Sequence, residues 1–294
     1  MKIYIASLKK YVGKIQEDIY MRNALKFNGF FSEIAILRDI VNVVKSFDVV
    51  LLKSIWGYHI DYKEFLEQIS ILKKKNIKLV NNYDFIFWNI DKFKYLEEIK
   101  NISIIPTILL QIKDAKTTFE IKKVISKTGK IFDTDILVIK PCISESGHLT
   151  FIYDINKENK LIITALQKNK HLNFIAQPYR SSISEGEISI IIINGTPLYG
   201  IKRFPGIFMD KKDPTYIKLV SVPNAIKKEL ILLKDFFLKK FGVLPNICRV
   251  DFLKFNTSYE ILEIELIDPD LFFKYIPENI KKKVVSSLCK SLTI

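Results

Sequence analysis

The stretch Ile261-Leu262-Glu263-Ile264-Glu265-Leu266-Ile267-Asp268-Pro269-Asp270-Leu271-Phe272 follows Arg249-Val250-Asp251-Phe252-Leu253 after a polar turn at 254–258. The two runs read as an antiparallel pair of strands. Side chains alternate across a strand, so Glu263 and Glu265 share one face while isoleucine and leucine fill the other. Asp251 stands among apolar residues on the facing strand. Carboxylates gathered in this way repel one another unless cations neutralise them. Hard oxygen ligands with room for water suit Mg²⁺ rather than zinc. The same pattern also fits an amphipathic strand whose glutamates meet solvent or pair with lysines.

Two upstream segments extend this chemistry. In Val138-Ile139-Lys140-Pro141, an apolar strand ends on a lysine and runs into Ile143-Ser144-Glu145-Ser146-Gly147-His148-Leu149-Thr150. Backbone N–H groups and hydroxyls there suit phosphate oxygens, with Lys140 as a point charge beside them. A plain turn fits equally, and no GxxxxGK[ST] loop is present. Further on, Phe174-Ile175-Ala176-Gln177-Pro178-Tyr179 leads through Glu185-Gly186-Glu187 into an apolar strand over 188–193. A hairpin turn at Asn194-Gly195 follows, with a return strand ending Lys202-Arg203-Phe204-Pro205. Cations at that strand end suit a transferring phosphoryl group, or simply an exposed strand end.

The remaining pattern predicts a parallel sheet first. Strands over 2–6, 33–37, 47–52 and 77–80 alternate with helical stretches over 22–28 and 62–75 and with a charged helix before the strand at 47. Helices over 93–99 and 118–128 follow. Strands then dominate, over 136–139, 150–154, 174–177, 188–193 and 198–203. A helix over 225–241, the strand pair 247–253 and 259–266, and a helix over 277–288 complete the chain.

Composition narrows the function class. The chain has 294 residues, 48% hydrophobic and 27% charged, with a net charge of +14, ordinary values for a folded globular protein except for the charge. Nearly all of the positive charge is scattered lysine; the arginines are Arg22, Arg38, Arg180, Arg203 and Arg249. Readers of nucleic acid lean on arginine for bidentate contacts, so a lysine-rich surface is favoured over a nucleic-acid partner. A positive field also suits a polyanionic substrate. No apolar run is long enough to span a membrane, and the first residues read as a strand rather than a leader, so a cytoplasmic protein is expected. Cys142, Cys248 and Cys289 have neither zinc nor disulfide spacing and read as small hydrophobes. His59, His148 and His171 lie in unrelated contexts, and no nucleophile elbow is present. Trp56 and Trp88 are expected to be core anchors.

Taken in order, these pieces resemble ATP-grasp ligases of the glutathione-synthetase-like group, in particular the branch that includes the cycloserine-biosynthesis ligase. Leu52-Lys53-Ser54-Ile55-Trp56-Gly57-Tyr58 followed by Glu64-Phe65-Leu66 is similar to that branch's Trp-Asp-Tyr segment. Asn81-Asn82, Trp88-Asn89-Ile90-Asp91-Lys92 and Ile105-Pro106-Thr107 follow in the expected sequence. Leu262 to Phe272 is similar to the closing metal strand and its Pro-x-Leu-Phe. The resemblance covers nearly the whole chain and implies an α/β protein with α+β lobes. A parallel-sheet domain over 1–90 would precede a small lobe with a phosphate flap over 91–178 and a metal-bearing lobe over 179–294.

The resemblance also implies roles. Lys92 and Lys140 would contact ATP phosphates and the adenine pocket, and Gln177, Pro178 and Tyr179 would form the hinge at the adenine edge. Glu187 would hold the ribose, and Ser144, Ser146 and Gly147 would belong to the flap. Arg203, with Lys202 as the one-residue alternative, would stand with Lys140 at the reacting phosphate. Asp251, Glu263 and Glu265 would bind Mg²⁺, or Mn²⁺ in its place. The implied activity activates a small-molecule or peptide carboxylate as an acyl phosphate and couples it to an amine, in a chain open to homo-oligomer formation. Three departures stand out. The flap has the single glycine Gly147, Gly57 and Lys53 replace residues that the branch usually has as aspartate and arginine, and 206–222 is diverged. A non-catalytic ATP-grasp scaffold binding a polyanion through its basic surface is the rival expectation.

Overall fold

The computed structural model describes residues 1–204 and 217–292. Near the N-terminus, strands β1 (Lys2–Ser7), β2 (Phe31–Ile36), β3 (Val49–Leu52) and β4 (Lys78–Val80) alternate with helices α1 (Gln16–Phe27), α2 (Leu37–Val43) and α3 (Tyr62–Lys74). The strands form one parallel sheet in the order β2-β1-β3-β4, as the alternation predicts. All four residues of β3 are buried, as expected of a central strand covered on both faces.

Helices α4 (Tyr83–Asn89) and α5 (Lys92–Glu98) lead into a second layer. It comprises β5 (Ile108–Leu110), α6 (Thr118–Phe132), β6 (Ile136–Pro141), β7 (Phe151–Asp154), α7 (Lys160–Lys168) and β8 (Phe174–Pro178). The strands make an antiparallel sheet, β5-β8-β6-β7. A third sheet, also antiparallel, has the order β11-β10-β9-β12-β13. Its strands are β9 (Glu187–Ile193), β10 (Thr196–Arg203), β11 (Ile217–Val220), β12 (Ile247–Phe255) and β13 (Ser258–Glu265), with helices α8 (Lys227–Phe241) and α9 (Glu278–Leu292).

Four elements escape the sequence pattern, each for a physical reason. The seven-residue α4 is aromatic rather than periodic. It is fixed by its Asn82 cap, which accepts from Phe85 N at 3.1 Å, and by Phe85 and Trp88 packing on Phe237 and Phe241 of α8. The three residues of β5 are too few for a period to show. In α7, isoleucines and a threonine depress helix propensity, and burial of Ile163 and Leu166 decides the matter. Strand β11 falls in the diverged segment 206–222, of which 206–216 lies outside the described residues. The first helix also begins earlier than its pattern, at Gln16.

The third sheet is the structural centre because both of its faces are covered. Ile190, Ile192, Val250 and Phe252 pack with α4, α5 and α8 on one side. Ile191, Ile193, Tyr199 and Ile247 pack on the other with α1, α9 and the first sheet. That two-sided burial explains the unbroken isoleucine run of β9. The exposed edge expected of β13 is closed by side chains and backbone from elsewhere. Ile105 N donates to Ile261 O, and Ile261 N to Ser103 O. Asn89 bonds Ile264 O and Leu266 N, both at 2.8 Å. Asn81 donates to Leu266 O at 2.6 Å and to Ile247 O at 2.5 Å, and accepts from Ile247 N at 3.0 Å. The strand carrying Glu263 and Glu265 is therefore held along its length. Among the described residues no helix is long and apolar enough to cross a membrane.

Candidate active site

Between the second and third sheets, and roofed by loops of the first, lies a cavity of about 780 Å³. Lys92, Lys140, Gln177, Arg203, Asp251 and Glu263 all line it. Register explains the acidic cluster. Asp251 pairs with Glu263 and Arg249 with Glu265 across β12 and β13, so Arg249 and Asp251, two apart, share the face of the two glutamates.

Basic side chains bring neutralising charge to these carboxylates, as the second reading of the strand pattern allowed. Arg249 donates to Asp251 through Nε at 3.0 Å and Nη2 at 2.9 Å, and to Glu265 at 2.5 Å. Arg203 donates to Asp251 at 3.2 Å and forms an ion pair with Glu187. Lys92 Nζ stands 3.2 Å from Glu263 and donates to the Ser144 carbonyl. Two arginines and a lysine thus offset part of the negative charge that the strand pattern gathers here. Arg249 was legible as Arg-x-Asp on a strand, a spacing that puts cation and carboxylate on one face.

Electrostatics divide the acids. Burial works to raise Asp251, but Arg249 and Arg203 outweigh it and hold the carboxyl below its usual range. Burial is likewise outweighed at Glu263 by Lys92 and Lys140. At Glu265 burial wins over Arg249, and the carboxyl is pushed up to about 7. Among the described residues no three acidic, histidine or cysteine side chains form a ready metal cage, because Asp251 is turned into the two arginines. The donor set still fits Mg²⁺, which is ordinarily held by one or two carboxylates with phosphate oxygens and water rather than by an all-protein cage.

Lys140, at the end of β6, is 7% exposed. Among the described residues its ammonium has neither a hydrogen bond nor an ion pair, and burial lowers its pKa against the pull of Glu263. A buried ammonium of this kind fits an anionic ligand. Gln177 donates to Thr107 Oγ1 at 2.9 Å, while its Oε1 is buried without a partner among the described residues. Pro178 and Tyr179 line the same wall. Arg180, given no role from the sequence, braces it by gripping Glu260 at 2.7 and 3.0 Å while lying over the Phe255 ring. Glu187 lies in the cavity against Arg203. Lys202 does not line the cavity: alternation along β10 turns it to the opposite face, over the Phe204 ring, and leaves Arg203 inside.

The segment over the cavity mouth bears Ser144, buried, and Ser146 and Gly147, exposed. Ser146 and Gly147 both have positive φ. Glu145 tethers this segment to the first layer. Its carboxylate accepts from Gly57 N and lies 3.2 Å from His59 Nδ1. The His59 and His148 rings are 4.8 Å apart. Trp88 is a core anchor, as expected, and donates to Glu98 at 3.0 Å. Trp56 is not: it is half-buried, edge-on to Tyr11, and forms part of the cavity wall.

Residues 102–211 match the family model described as prokaryotic glutathione synthetase, ATP-grasp domain. The chain is also similar to several solved structures. With D-cycloserine synthetase DcsG it shares 17% identity over 99% of this chain and 100% of that one, with a TM-score of 0.82. With the D-alanine–D-alanine ligase from Bacillus anthracis complexed with ATP it shares 16% over 100% and 97%, with a TM-score of 0.68. The macrocyclase MdnC bound with precursor peptide MdnA from Microcystis aeruginosa MRC gives 12% over 99% and 100%, at 0.65. No curated protein sequence matches the chain significantly.

Proposed function

From the ATP-grasp fold that the chain shares with these structures, we propose that it is an ATP- and Mg²⁺-dependent ligase. It activates a carboxylate as an acyl phosphate and couples it to an amine, with release of ADP. The observation that carries this reading is Lys140, a buried ammonium with no ion pair among the described residues, facing a cavity that also holds Glu263 and Asp251.

Lys140 and Lys92 would bind and orient the phosphates, with Ser144, Ser146 and Gly147 closing over them to exclude water. Gln177, Pro178 and Tyr179 would meet the base, the buried Gln177 carbonyl oxygen accepting a hydrogen bond there. Glu187 would serve the ribose while bracing Arg203. Asp251, Glu263 and Glu265 would hold Mg²⁺, or Mn²⁺, which when bound offsets phosphate charge as a Lewis acid. Arg203 and Arg249 bring fixed positive charge to the place where an oxyanion develops as the amine attacks. The substrates are small molecules or peptides bearing the acid and the amine.

The test is ADP release from ATP and Mg²⁺ across paired acids and amines, with mass spectrometry of the products. Activity that falls about 10²- to 10³-fold in Lys140→Met, with the fold retained, supports the reading. A Glu263→Ala enzyme with unchanged turnover and unchanged Mg²⁺ dependence would overturn the metal assignment.

A further inference from the structure

A second cavity, of about 380 Å³, opens between α8 and the third sheet and shares no lining residue with the candidate active site. Its floor includes Ile192 of β9 and Cys248 of β12, which pair in register. Leu230, Leu233 and Phe237, the buried residues of α8, form the opposite wall. Contacts between a helix and a sheet are ordinarily close-packed, with few voids larger than a water molecule. A cavity of roughly 150 Å³ already admits benzene to an apolar interior. This one is larger, and it falls in the range of about 300–1,000 Å³ typical of small-molecule sites.

Charge stands only at the rim. Lys227 and Lys234, both exposed, lie seven residues apart on α8 and line the cavity. That spacing returns both to one face of the helix, about 10 Å apart along its axis, a span that two flexible lysine stems can close. Among the described residues neither forms an ion pair or a hydrogen bond with a side chain, and no aspartate or glutamate lines the cavity. Inside, the one polar side chain is Cys248, whose thiol burial pushes up, so that it stays uncharged. Water in the interior would find few partners, whereas a hydrocarbon chain would leave water for an apolar wall. A cationic head at the rim would be repelled by both ammonium groups, and an anionic head would meet two that lack a counterion.

We propose that this cavity binds a free aliphatic carboxylate of medium chain length, its tail between α8 and the third sheet and its carboxylate between Lys227 and Lys234. The ligand is distinct from the nucleotide and from the substrates of the ligase reading, so the proposal stands without that reading.

The test needs no turnover. Protein labelled with ¹³C at isoleucine and leucine methyls is titrated with octanoate, n-octanol and n-octylammonium, which share a tail and differ in the head. Acetate, the head alone, is the fourth probe. The expected result is saturable octanoate binding that shifts the methyls of Ile192, Leu230, Leu233 and Leu244, with a Kd at least 10-fold below that of n-octylammonium. Acetate should neither shift these methyls nor displace octanoate. Joint replacement Lys227→Glu and Lys234→Glu should reverse the order, so that n-octylammonium binds more tightly than octanoate. Both positions are exposed, and n-octanol, which carries no charge, should bind the two proteins alike. If it does not, the ranking in the wild type decides alone. The proposal is rejected by n-octylammonium binding as tightly as octanoate to the wild type, by competition from acetate, or by shifts centred instead on Leu253 and Leu262 of the active-site cavity. It is also rejected by an unchanged order in a charge-reversed protein that still binds n-octanol.

Discussion

At the scale of single residues, the molecule places charge where water cannot reach it, and the cost differs with the partner supplied. Asp18, at the start of α1, is fully buried, with no ion pair among the described residues and the Ser54 side chain as its polar neighbour. Burial raises its pKa from 3.8, with Lys53 offsetting part of the shift. The native state therefore keeps this proton over a range where the unfolded chain has lost it. Its contribution to stability is greatest below 3.8 and is lost as pH rises through the folded value. Asp18→Asn should accordingly gain stability over wild type as pH climbs from 4 to 8, by about 1 to 3 kcal/mol at the top, read from urea midpoints across pH. Arg249 is the opposite case, since its guanidinium satisfies two carboxylates at once. Arg249→Met should cost about 3 to 5 kcal/mol, because Asp251 loses its bidentate partner while still buried. Glu263 and Glu265 were legible from alternation along β13, and Asp251 from its place among apolar residues on β12. Arg249 was written in the same alternation but was not assigned a role. Asp18 had no sequence signal, because only the fold reveals that α1 turns it inward.

At the scale of elements, long periodic segments announced themselves and short ones did not. The parallel layer, the hairpin of β12 and β13 and the long helices follow from period and turn chemistry. Elements α4, β5 and α7 exist because neighbours bury them. The seam along β13 was only half legible: Asn81-Asn82 stood out as a motif, but its partners lie far along the chain. Asn81 adopts a left-handed φ of 56° and satisfies three buried backbone groups. Asn81→Ala should lose at least about 2 kcal/mol and also weaken Mg²⁺·ADP binding, measured by calorimetry, because β13 loses its edge. Gly129 in α6 makes a second element-scale case. A Cβ there would stand 2.3 Å from Ile155 Cδ1 and 2.7 Å from the Thr134 carbonyl. The helix propensity gained by Gly129→Ala, about 1 kcal/mol, is outweighed by overpacking against backbone. The expected net loss of about 1 to 2 kcal/mol would appear as a lower urea midpoint.

At the scale of the whole molecule, three layers converge on one cavity, and ligand and stability are linked. A nucleotide at 100 times its Kd should stabilise the protein by about 2.7 kcal/mol, visible as a raised Tm that requires Mg²⁺. Lys140→Met removes a buried, unpaired charge, so the ligand-free Tm should hold or rise while the nucleotide-induced increase disappears. The same convergence gives the protein a built-in optical gauge. Trp56 adjoins Gly57, whose N–H is held by Glu145 of the segment over the cavity mouth, whereas Trp88 is fixed in the core. Indole emission from the first should therefore report, in real time and without any attached dye, any displacement of that segment on adding nucleotide, against the steady background of the second.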